Sequence, residues 1–279
     1  MIQLSIRATA MSTASYISHA DQAPIFAINR NSPPRLARSL IWLGVAAMHV
    51  AAPTALAGVT DLAGNLTQAM DTAVGSGNSA RLTANTKVMW YGTTAASNVN
   101  LNGFELDIDT GGGNAQTYNG AISGPGSLRL VGRGDASWSP DAQLGGSGSN
   151  SPESVIISQG RVTLNKSAGV DALAGAITVN TSGTVRIQLL QSDQISDAST
   201  LTSTASSGAF HLELGGFHET IAALTMKAGH TVDTGSGGIL KVTRLSVGGI
   251  SQPKGAYTAS SGFVTGLSLI HISEPTRPY

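Results

Sequence analysis

Gly160-Arg161-Val162-Thr163-Leu164 decides how this chain folds, because the same phrase returns along it. A glycine opens the phrase, a spacer follows, and apolar residues then alternate with polar ones. Other copies are Gly126-Ser127-Leu128-Arg129-Leu130, Gly175-Ala176-Ile177-Thr178-Val179 and Gly183-Thr184-Val185-Arg186-Ile187, with a longer version at Gly208-Ala209-Phe210-His211-Leu212-Glu213-Leu214. A period of two sends one set of side chains to a buried face and the other to water, which describes a β-strand. Each phrase is too short to bury its own apolar face, so the copies must stack on one another. The expected fold is all-β, an elongated β-solenoid. A β-sandwich built from ordinary hairpins is the alternative arrangement.

Working outward from these phrases, strands are expected at 87–91 and 98–109, then as two strands in 118–131 broken at Gly124-Pro125-Gly126. Residues 133–152 read as an irregular loop. Further strands are expected near 154–158, 161–165, 176–180, 184–190, 209–214, 221–226, 239–243 and 245–250. Leu101-Asn102-Gly103-Phe104 recurs as Leu214-Gly215-Gly216-Phe217, and the central pair reads as a tight corner because glycine reaches positive φ without strain. Ahead of the strands, Leu62 to Met70 reads as a short helix or cap. A solenoid needs such an element to cover an open terminal strand. The unequal spacing of the phrases fits coils joined by loops of variable length.

The two ends have a different character. Arg35-Leu36-Ala37-Arg38 is a basic patch followed by an apolar run from Ser39 to Ala52, and Ala55-Leu56-Ala57 then precedes Gly58. Basic, apolar and small-residue segments in that order form a secretory signal peptide, with cleavage expected between Ala57 and Gly58. Residues 1–57 are therefore read as an N-terminal extension and signal peptide, 58–98 as cap and first strands, and 99–266 as the repeat region. The tail Leu267-Ser268-Leu269-Ile270-His271-Ile272-Ser273-Glu274-Pro275-Thr276-Arg277 resembles the translation of a transposon-type sequencing adapter. Residues 267–279 are accordingly read as adapter-derived, with the natural chain expected to continue beyond Gly266.

Composition narrows the function classes. The segment 58–266 carries eleven Lys and Arg against fourteen Asp and Glu, a balance that does not suit a nucleic-acid partner. Charged residues make up 11% of the chain and glycines number 34, which suits short stacked strands better than helices. The chain contains no cysteine. A disulfide scaffold, thiol catalysis and cysteine-bound metal are thereby excluded. No cofactor is expected, and no transmembrane segment is expected in the mature part.

Four longer segments carry a family resemblance: Ile122-Ser123-Gly124-Pro125-Gly126-Ser127-Leu128, Val162-Thr163-Leu164-Asn165-Lys166-Ser167-Ala168-Gly169, Leu212-Glu213-Leu214-Gly215-Gly216-Phe217-His218-Glu219-Thr220-Ile221 and Val247-Gly248-Gly249-Ile250-Ser251-Gln252-Pro253-Lys254-Gly255-Ala256-Tyr257-Thr258-Ala259. Together they resemble bacterial autotransporter-associated β-strand repeat proteins. The resemblance implies a right-handed parallel β-helix on an exported, surface-associated or extracellular protein, and it brings no catalytic residues with it.

Several residues qualify as site candidates. Glu105, Asp107 and Asp109 alternate with Phe104, Leu106 and Ile108, so three carboxylates share one strand face beside a glycine turn, a set that could hold calcium. The segment lacks the later ligands of an EF-hand loop and the glycine-aspartate nonapeptide of a β-roll, and a solvated strand face is the simpler reading. Paired carboxylates could also serve glycoside cleavage. His218-Glu219 begins like a zinc-protease helix, but Ala222 stands where the second histidine is required. His211, His218 and His230 could meet if coils stack in register. Arg133-Gly134-Asp135 is an adhesive tripeptide beside the irregular loop, and Gly75-Ser76-Gly77-Asn78-Ser79-Ala80 meets only the loosest dinucleotide fingerprint. Trp90-Tyr91 and Trp138 are aromatic enough for sugar stacking. The expected function is an exported, non-enzymatic solenoid with a structural or adhesive role, its partner a surface ligand such as a glycan or another cell. The alternative is a polysaccharide-binding or polysaccharide-degrading β-helix.

Overall fold

The apolar residues of the repeated phrases line up behind one another. Leu106, Leu128, Val155, Ile177, Leu201, Leu224 and Leu245 are register partners in consecutive parallel strands, twenty-one to twenty-seven residues apart in sequence. All seven are buried. The computed structural model describes residues 59–66, 73–74, 78–89, 94–110, 116–132, 142–180, 183–204, 208–265 and 270–272. Over these the protein is a β-solenoid of about seven turns with parallel stacking. At about 4.8 Å per strand the seven turns rise by roughly 34 Å.

Each turn contributes to two ladders. The first ladder contains Val59–Leu66, Ser79–Met89, Glu105–Asp109, Ile122–Val131, the front of Ser151–Lys166, Ala176–Val179, Thr200–Ser203, His218–Met226 and Ile239–Val247. The second contains Thr94–Ala95, Gln116–Tyr118, Ala142–Gly146, the back of Ser151–Lys166, Val185–Leu189, Phe210–Glu213, Thr231–Asp233 and Val264–Thr265. Its core column runs Ala142, Val162, Ile187, Leu212, Val232, Val264. Burying each of the valine, leucine and isoleucine side chains contributes about 1.5–3 kcal/mol. Parallel pairing across both ladders replaces the hairpins that a sandwich would need.

The glycine that opens each phrase sits where one turn passes close to the next. A Cβ on Gly208 would fall 1.6 Å from the Gly183 carbonyl oxygen, and one on Gly160 would fall 2.8 Å from the Gly132 backbone. No larger residue fits there without moving the backbone. The predicted corners at 101–104 and 214–217 close with Phe104 N–H donating to Leu101 O (2.9 Å) and Phe217 N–H donating to Leu214 O (3.0 Å). Asn102, Gly103, Gly215 and Gly216 all take positive φ, as the reversal demands.

Several boundaries differ from the sequence reading. Val59–Leu66 is a strand rather than a helix or cap: its register partner is Ser79–Met89, and backbone pairing with that strand outweighs the helical spacing of Leu62 and Leu66. The irregular loop expected at 133–152 contains the strand Ala142–Gly146 and the start of Ser151–Lys166. That long strand merges two expected ones and passes from the first ladder to the second at Gly160. Ile122–Val131 is continuous, with a register shift rather than a break between Gly124 and Ser127. Ile239–Val247 likewise joins two expected pieces, and Ile250–Ser251 then folds back antiparallel on it. Ile270–Ile272 adds a parallel strand beside Ile239–Val247. No helix among the described residues is long and apolar enough to cross a membrane.

Candidate functional site

Glu105, Asp107 and Asp109 do share the outer face of one strand, while Leu106 and Ile108 enter the core. Stacking then supplies cations that sequence order hides. Lys87, one turn before, places Nζ 2.9 Å from Asp109 Oδ2 and 3.8 Å from Asp107 Oδ2. Arg129, one turn after, is the register partner of Asp107. Ser127 donates its hydroxyl to Glu105 Oε2 at 3.3 Å. Burial raises the Asp107 carboxyl above its ordinary range, against the opposing pull of Lys87 and Arg129. This arrangement is a strip of alternating charge across three turns, ion-paired between the first two, with a lysine ammonium where the calcium reading placed a metal ion. Among the described residues, no three His, Cys, Asp or Glu side chains form a group that could hold a metal.

The three histidines occupy separate places. His211 lies on the outer face of the second ladder, with Nδ1 2.7 Å from Thr231 Oγ1. His218 is exposed at the start of a strand, so His218-Glu219 is not on a helix at all. His230 is buried, with Nε2 3.3 Å from the Gly208 carbonyl and Nδ1 2.9 Å from Ser203 Oγ. The carbonyl can only accept, so Nε2 carries the proton and Ser203 donates to Nδ1. Burial lowers the His230 pKa, against the opposing pull of the Gly208 carbonyl. Ser203 is 3% exposed and occupies a core position of its strand, so this serine–histidine pair holds two turns together rather than facing a substrate.

A second polar group went unread in the sequence. At the corner where the second ladder hands over to the next turn, Asn150, Lys166, Gln194 and Glu219 are all buried. Each serves the backbone of a neighbouring turn. Asn150 Oδ1 accepts from Ile122 N–H at 2.9 Å, and Gln194 Oε1 accepts from Lys166 N–H at 2.7 Å. Glu219 Oε2 accepts from the N–H groups of Gln194 (2.7 Å) and Ile195 (3.0 Å). Lys166 Nζ donates to the carbonyls of Gly145 (2.8 Å) and Gly120 (3.3 Å). These bonds replace ladder hydrogen bonds that the bend interrupts. Burial moves Glu219 up to about 7 and Lys166 down to about 8.

Another feature lies on the outer face of the first ladder, in the C-terminal turns. Thr178, Thr202, Thr225, Ser246 and Ser251 are successive register partners and form one row across five strands. Two adjoining hollows, about 470 and 720 Å³, share Thr202 and Thr225 as lining. Arg244 borders the first hollow and Lys227 the second. Alternation in the sequence does not reveal this row, because Thr200–Ser203 carries only one large apolar residue, Leu201.

Ala57, Gly58, Arg133, Gly134, Asp135, Gly75 to Gly77, Trp90, Tyr91 and Trp138 lie outside the described residues. No family model matches this chain, and no curated protein or solved structure matches it.

Proposed function

We propose that this chain is an exported, surface-associated or extracellular β-solenoid whose role is structural or adhesive. The observation that carries the reading is the unbroken parallel stack. About seven turns share one core column, and each turn offers its outward residues in register with the last. Such a body is stiff along its axis and repeats the same surface position many times, which favours weak, multivalent contact. The basic, apolar and small-residue order of residues 35–57 supports export. A non-enzymatic reading is supported by the partners of the 105–109 strip: Lys87 pairs with Asp107 and Asp109, Ser127 donates to Glu105, and the hollow beside them measures only about 150 Å³. The glycan-directed alternative draws its support from the hydroxyl row of the C-terminal turns.

The test is to express the full chain with a C-terminal epitope in a bacterial host, fractionate the cells, and determine the N-terminus of the product. The expected result is a product beginning at Gly58 on the cell surface or in the medium. An uncleaved product confined to the cytoplasm would contradict export.

A further inference from the structure

We propose that the hydroxyl row of the C-terminal turns is a binding strip for a single strand of an acidic polysaccharide of the polyuronate class. This rests on the reading of the chain as an extracellular adhesive solenoid and names what it would hold.

The row has the geometry for it. Thr178, Thr202, Thr225, Ser246 and Ser251 follow one another across five strands, spaced by about 4.8 Å. A pyranose in an extended chain advances by a similar length, so successive sugars can meet successive hydroxyls. None of the five side chains forms a hydrogen bond to another described residue. Each hydroxyl therefore keeps a donor and two acceptor sites to offer, matching the mixed donor and acceptor character of sugar hydroxyls. The two hollows lie along the row and make it a trough rather than a flat face.

Charge selects the kind of glycan. Arg244 and Lys227 are exposed and stand on opposite sides of the row, and neither forms an ion pair among the described residues. No Asp or Glu lines either hollow. Elsewhere on this ladder, cations are held by carboxylates, as Lys87 is by Asp109. Two unpaired cations beside a neutral hydroxyl row complement a polymer bearing carboxylates at intervals, and the arginine fork can take a carboxylate through two bonds. A nucleic acid carries a charge on every nucleotide and is met by denser basic clusters than this.

The test uses the full chain and immobilised polygalacturonate, with dextran as a neutral glycan and a DNA duplex as a second polyanion. Wild type is expected to bind polygalacturonate, more weakly as salt rises, and to ignore dextran and DNA. R244A/K227A is expected to weaken that binding about tenfold, and T202V/T225V about fivefold, both with an unchanged melting temperature. Absence of polygalacturonate binding by a normally folded wild type would overturn the proposal. So would equal binding to dextran or to DNA, or binding that neither double variant weakens. A chain that reaches the cell surface yet fails to bind overturns this inference alone. A chain that binds but stays uncleaved in the cytoplasm overturns the export reading instead.

Discussion

A single rank of outward positions runs the length of the first ladder, and its two halves differ. From the N-terminal end it reads Asn65 and then Lys87, Asp107 and Arg129, three consecutive register partners of alternating sign. Ile156 follows, and then come the hydroxyls of Thr178, Thr202, Thr225, Ser246 and Ser251. The backbone is the same in both halves, as is the apolar column beneath it. In the first half, neighbours in the stack pair by charge: Lys87 lies between two carboxylates and Asp109 is fully covered, although Asp107 Oδ1 is buried with no hydrogen-bond partner. In the second half, the hydroxyls and the flanking cations are left to solvent. The fold thus fixes spacing and direction, while side-chain choice decides whether a stretch of the rank closes on itself or faces outward.

The comparison breaks first if the two halves do not share one core. L106A and L201A remove equivalent buried leucines from the two halves, and each is expected to cost about 3 kcal/mol in urea denaturation. A loss confined to one of them would mean that the halves are stabilised differently.

Next in size is the buried corner, where the pH dependence has a definite sign. Glu219 has a folded-state pKa of about 7, raised from 4.5, so the folded protein holds an extra proton between these values and stability falls as pH rises through them. Lys166 is lowered from 10.5 to about 8, so the unfolded chain holds the extra proton above pH 8 and stability recovers from there. These two groups together place a shallow stability minimum between pH 7 and 8. Comparing unfolding of wild type and E219Q from pH 5 to 8 is expected to show roughly 2–3 kcal/mol less decline in the variant. Parallel curves would show that Glu219 does not titrate in this window.

K87M sharpens the contrast within the rank itself. It removes the cation beside Asp109 and is expected to cost about 2 kcal/mol at neutral pH. The matching change in the other half, T225V, is expected to stay within about 0.5 kcal/mol, because its hydroxyl holds nothing in the protein. Thermal or urea melts of the two variants side by side measure the difference.

Much of this was legible in the sequence, for local reasons. Alternation over four or five residues marks a strand wherever the inward residues are as apolar as those of 126–130 or 183–187. The glycine before each phrase reports a crowded approach between turns, as Gly208 and Gly160 confirm. Thr200–Ser203 and Thr231–Asp233 escaped notice because each carries only one large apolar residue. Val59–Leu66 misled because Leu62 and Leu66 sit four apart, as on a helix. The carboxylates at 105, 107 and 109 were placed on one face correctly, but their partner Lys87 lies about a turn away in sequence. The hydroxyl row was hidden for the same reason. Its members come from turns of unequal length, so alternation shows that each points outward without showing that they align.

That alignment is the claim on which the rest depends, and the absence of cysteine makes it directly testable. Neighbouring register positions about 4.8 Å apart suit a disulfide, whereas diagonal ones lie too far apart. T202C/T225C in an otherwise unchanged chain should cross-link readily under mild oxidation and retain a native melting profile. T202C/K227C, offset by two residues, should not. Equal cross-linking of the two pairs, or none in the first, would contradict the stacked register and the row built on it.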